Sequence, residues 1–179
     1  MIMYFRLAIG SLLFFATGCA GASIKNNDRS DALVSYVISS GLVDVKSSSD
    51  FAYRLIPPAK AAPAMAVVYL TNRSWCGTGG CHLLILSLEH GKYKILKNIP
   101  AIQTPVTILG RVADGYPIFG VEIRGGGIKE YRAALRPKNG VYPETINGAV
   151  PIRSSSPTGR MLISSRMAQC KFSHGTSTC

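Results

Sequence analysis

From Ala64 onward the chain is written in short extended runs separated by turn residues, and that texture commits most of its length to an antiparallel sheet. Met65 to Thr71 is a largely apolar run. His82 to Glu89 follows, and His90-Gly91 is a two-residue turn of the kind that closes hairpins. Closing the hairpin there sets Glu89 against Lys92, an opposite-charge pair worth roughly a few tenths of a kcal/mol. The same register puts Leu84, Leu86 and Leu88 on one face with Tyr93 and Ile95, and Leu83, Ile85 and Leu96 on the other.

A second hairpin is registered by charge. Opposing Ile123 to Tyr131 and Val121 to Ala133 brings Arg124 to Glu130 and Glu122 to Arg132, with Gly125 to Lys129 as the loop. A slip of two residues breaks both pairs. Between the hairpins, Thr104 to Val112 reads as a separate strand ending in the turn Ala113-Asp114-Gly115.

Upstream, Asp31 caps a stretch in which Ala32, Leu33, Tyr36 and Val37 recur at helical spacing and which Gly41 ends, so a helix is predicted over Asp31 to Ser40. Its natural place is over the face of Leu83, Ile85 and Leu96. Ser47 to Asp50 is a turn, Phe51 to Leu55 is extended, and the prolines from Pro57 to Pro63 make a loop. The expected fold class is α+β: one N-terminal helix on an antiparallel sheet of five to six strands built from hairpins, spanning residues 31–145. Residues 146–179 carry no Asp or Glu and are rich in Ser, Thr, Gly and Arg, which reads as a basic, poorly ordered tail.

The chain opens on Arg6, an apolar run from Leu7 to Phe15, and Ala16-Thr17-Gly18-Cys19. The run is far shorter than the roughly 20 residues a bilayer span needs, and small residues close it, as in a secretion signal over residues 1–18. Ala16-Thr17-Gly18-Cys19 resembles the lipobox of bacterial lipoproteins, with Ala16 in place of the usual Leu. The resemblance implies a lipidated Cys19, a membrane anchor of three acyl chains at about 0.8 kcal/mol per buried CH₂, and a tether over residues 19–30. Ala20 after the cysteine points to the outer membrane, with the domain facing the periplasm.

Five cysteines make an odd count, and assigning Cys19 to lipid leaves Cys76, Cys81, Cys170 and Cys179 to pair as disulfides in an oxidising compartment. The local connectivity, Cys76 with Cys81 and Cys170 with Cys179, needs least rearrangement. Zinc is the competing reading, with His82, His90 and His174 as the only further histidine ligands, and a redox C-x-x-C is absent. The formal charge is +11, of which the signal contributes one basic and no acidic residue. Such an excess steers anionic partners. The export signal removes nucleic acid from their number and leaves anionic envelope polymers and acidic protein surfaces.

No catalytic set, cofactor motif or metal site is legible. Gly125-Gly126-Gly127 is followed by no Gly-Lys-Ser or Gly-Lys-Thr, and Ser74 near His82 lacks both a nucleophile elbow and an orienting acid. Arg73, Trp75 and His82 instead form a candidate binding set, Trp75 being the only Trp and lying on the disulfide-braced loop. The competing reading tucks Trp75 against the sheet as a shield for the disulfide. From about Leu55 to Pro143 the chain resembles a set of uncharacterised proteobacterial secreted proteins that share the loop Trp75 to Cys81, the hairpin after it, the glycine hairpin and a Tyr142-Pro143 pair. That resemblance implies a helix on an antiparallel sheet and no activity. The expected function is a lipid-anchored, non-enzymatic binding or inhibitor module, immunity-like, with an envelope protein as partner. The alternative is a structural or assembly component of an envelope complex that uses Arg153, Arg160, Arg166 and Lys171 as contacts.

Overall fold

The computed structural model describes residues 26–42, 44–153, 159–169, 171–173 and 176–178. Cys19 and the lipobox, Cys170, Cys179 and His174 lie outside these residues. Helix α1 runs from Asn26 to Ser39, so helix begins inside the stretch expected to be tether. Leu33 and Val37, one turn apart, are its fully buried residues, and Gly41 ends it at φ +75°, a left-handed conformation that glycine adopts without penalty.

The strands are β1 (Phe51–Ile56), β2 (Ala64–Leu70), β3 (Cys76–Gly77), β4 (Gly80–Glu89), β5 (Lys92–Arg111), β6 (Pro117–Gly125), β7 (Ile128–Leu135), β8 (Val150–Pro151) and β9 (Arg160–Ile163). They make one antiparallel sheet of nine strands, in the order β1-β2-β4-β5-β6-β7-β8, with β3 beside β4 and β9 beside β5. Nine strands replace the expected five to six, and two of them, β8 and β9, come from the segment after residue 145. A short helix α2 (Ser165–Gln169) and a separate hairpin of β10 (Lys171–Ser173) and β11 (Thr176–Thr178) follow.

The decisive element is β5. Its first half pairs with β4, its second half with β6 and β9, and breaks in register allow it to bend between them. What reads in sequence as a hairpin arm and a separate strand is one continuous strand shared by two layers. The inner faces of both layers close on a single core in which Leu83, Ile85 and Ile99 meet Phe119, Val121, Ile123 and Leu135, all 0–2% exposed. The helix therefore does not cover Leu83 and Ile85, as expected, but the opposite face. Leu33 and Val37 pack with Phe51, Ala66, Val68, Leu84, Leu86 and Tyr93. Leu83 to Leu86 are each wholly buried, because this strand is covered on both sides.

Both hairpin registers appear as expected in their centres. Glu89 faces Lys92, and Ile123–Tyr131, Glu122–Arg132 and Val121–Ala133 are paired. The second loop is tighter than Gly125 to Lys129: the ladder extends to Gly125 and Ile128, leaving Gly126-Gly127 as the turn, both at positive φ. Glu122 and Arg132 lie 3.3 Å apart and partly buried, whereas the exposed Arg124 and Glu130 stand at 3.9 Å, a pair of little energetic weight.

The sheet takes in part of the segment after residue 145. β9 pairs with β5, and Leu162 and Ile163 enter the core at 2% and 0% exposure, so this part of the segment is folded in despite its polar composition. Two apolar residues suffice because they complete a layer that the rest of the chain leaves open. Tyr142 belongs to the same core: its ring lies 5.5 Å from that of Phe119, and its hydroxyl donates to the Pro117 carbonyl at 2.8 Å. Burial, with Tyr116 nearby, pushes that hydroxyl far above the usual tyrosine range, so it acts only as a neutral donor.

Candidate functional site

The loop expected to carry the binding residues is held from four directions. Cys76 and Cys81 are disulfide-bonded across β3 and β4, at a Cα separation of 3.9 Å, which removes both from any ligand set. Asn72 opens the loop: its side-chain oxygen accepts from the Ser74 amide, and its amide nitrogen donates to the Asp44 carbonyl at 2.7 Å and to Asp50 at 3.4 Å. Burial pushes the Asp50 carboxyl up, but the amides of Lys46 and Ser47, the Ser47 hydroxyl and Asn72 outweigh it and hold the group below its ordinary range.

The third and fourth constraints are backbone approaches that only glycine permits. A Cβ on Gly80 would lie 2.2 Å from the Ile102 carbonyl oxygen, and one on Gly125 would lie 1.9 Å from that of Thr78. Both residues have positive φ. The disulfide loop and the glycine hairpin, two stretches that the sequence gives no reason to join, are thus in van der Waals contact. Ala101, itself at φ +60°, stands against Gly79, and the Tyr69 hydroxyl donates to the Ile102 carbonyl at 3.0 Å beneath.

On this frame Trp75 and His82 come together. Their ring centroids are 4.9 Å apart and nearly perpendicular, an edge-to-face contact. His82 Nδ1 lies 2.7 Å from Asn98 Oδ1. An amide oxygen only accepts, so Nδ1 is the donor in this contact, which fixes the ring's orientation. Trp75 is half-buried and packs on the helix-side core, while Arg73, two residues earlier in the same 3-10 turn, is exposed. Trp75 is therefore seated against the sheet and retains a face on the surface. A shallow concavity of about 360 Å³ is lined by Trp75, His82, Ala101 and the loop from Cys76 to Gly80.

Ser74 and His82 do not form a dyad. The Ser74 hydroxyl lies 2.6 Å from the Asp44 carboxylate, to which it donates, and His82 is held by Asn98. Asn98, Ala101, Asp44 and Asn72 do not stand out in the sequence. None sits in a motif, and each acquires its role from a segment 16 to 30 residues away or from a backbone angle. Among the described residues no helix is long and apolar enough to cross a membrane. No known family matches the chain, and neither characterised proteins nor solved structures show a significant similarity to it.

Proposed function

We propose that this chain is a lipoprotein anchored through Cys19 to the outer membrane, facing the periplasm, where it acts as a non-enzymatic module that binds or inhibits a protein partner of the envelope. The observation that carries the reading is the side-by-side placement of Trp75 and His82 on a loop braced by a disulfide, a side-chain cap and two glycine contacts. A surface held rigid in advance loses little entropy on binding, and Trp with Arg is the composition of interface hot spots. The separate engagement of Ser74 and His82 also favours recognition over nucleophile chemistry, which needs those two groups joined.

Cross-linking and pull-down from native envelopes test this. A discrete stoichiometric partner is expected, and Trp75→Ala should weaken its capture by at least about 30-fold, the effect of losing a hot spot of about 2 kcal/mol. Capture that survives Trp75→Ala but is lost at high salt favours the assembly-component reading, with the exposed Arg153, Arg160 and Arg166 as contacts. Anchoring is tested separately. Cys19→Ala should move the folded protein into the soluble fraction after a high-salt wash, and retention on the membrane would overturn the anchor.

A further inference from the structure

A cleft of about 520 Å³ opens where the first turns of α1 meet β1 and the end of the β4–β5 hairpin. Two arginines line it. Among the described residues neither Arg29 nor Arg54 forms an ion pair. Among the described residues the Arg29 Nε, shielded from solvent, has no hydrogen-bond partner, and the exposed Arg54 guanidinium reaches only the Tyr53 carbonyl and the Met167 sulfur. A shielded donor on a permanent cation is costly to leave unmade, and an arriving anion would satisfy it. The backbone beneath is fixed, since the buried Tyr93 hydroxyl donates to the Arg29 carbonyl at 3.2 Å. Leu55 and Leu88, both half-buried, supply apolar lining to the same cleft.

Forked cationic donors beside apolar lining match a phosphate diester that carries acyl chains. We propose that this cleft binds the headgroup phosphate of an anionic phospholipid, with the Arg29 and Arg54 guanidinium groups donating to its oxygens and Leu55 and Leu88 meeting the first carbons of its chains. The proposal rests on the reading that Cys19 is anchored: the segment from Cys19 to Arg29 spans at most about 35 Å, which keeps the cleft within reach of the bilayer. The net positive charge draws the domain to the same surface.

The test uses the full chain carrying Cys19→Ala, so that no acyl anchor contributes, with vesicles of phosphatidylcholine alone or mixed with phosphatidylglycerol. Binding is expected only to the mixed vesicles. Arg29→Gln and Arg54→Gln should each weaken it about tenfold, the value of a charge-assisted hydrogen bond, while Arg136→Gln, an exposed arginine outside the cleft, should change it less than about twofold. Equal losses from all three would mean diffuse attraction and overturn the site. Without either arginine change, the Arg29 Nε–H resonance should shift on adding the mixed vesicles. No shift, or a shift with inorganic phosphate and none with vesicles, would overturn the lipid assignment. Failure here with Cys19→Ala still released from membranes removes the cleft and leaves the anchor standing.

Discussion

Replacing Phe119 by Ala is expected to lower the melting temperature by about 6–20 °C. Phe119 is wholly buried, faces Leu135 on β7 and Ile108 on β5, and its ring stacks at 5.5 Å against Tyr142. Removing a buried Phe costs about 3–5 kcal/mol through lost transfer energy and the cavity left behind, and each kcal/mol moves the transition of a domain this size by roughly 2–4 °C. The neighbours cannot collapse into the hole easily, because they belong to two layers held apart by their own ladders. Thermal unfolding followed by circular dichroism measures the effect, with Ile128→Ala, at 48% exposure, as the comparison. If the two substitutions cost the same, Phe119 is not sandwiched between layers and the two-layer arrangement is wrong.

The second large effect belongs to Gly125. Alanine there must hold a left-handed backbone at φ +90° and place its Cβ 1.9 Å from the Thr78 carbonyl oxygen, so the glycine hairpin and the disulfide loop have to part. The backbone term alone is about 1–2 kcal/mol, and separating two backbone segments adds a comparable amount. Gly126 has the same left-handed backbone, at φ +59°, and a Cβ there would meet nothing within 4 Å, so Gly126→Ala isolates the backbone term. The single Trp provides the readout. Gly125→Ala should shift the Trp75 emission and destabilise by about 2–4 kcal/mol, whereas Gly126→Ala should leave the emission in place and cost about 1–2 kcal/mol. Indistinguishable variants would show that the two loops are not in contact.

These two loops also mark how far the site was legible. Trp75, His82 and the cysteine pair stand out from the sequence because a lone Trp, glycines and a C-x₄-C spacing lie within eight residues of one another. That loop's support does not. Asn98 lies 16 residues from His82, and Gly125 lies well beyond the loop it touches, with no charge or period linking them. Contacts between backbone and glycine leave no compositional trace except the glycine itself, and a glycine triplet reads equally well as a wide hairpin loop.

What the amino-acid sequence determined by itself is the local architecture. The Glu89–Lys92 and Glu122–Arg132 registers, the disulfide across the loop and the Leu33–Val37 stripe each depend on partners a few residues away, where turn geometry and charge leave one solution. Tertiary structure decided which face each element covers. Leu83 to Leu86 is apolar on both sides, so alternation could not say which side meets the helix; the bend in β5 settles it by folding the second layer over Leu83 and Ile85 and leaving Leu84 and Leu86 to α1. The same bend opens a place beside β5 for β9, which is why Leu162 and Ile163 are core residues in a segment whose composition reads as a tail. Burial depends on surfaces brought together from distant parts of the chain, and no local pattern encodes which of two apolar faces finds its cover first.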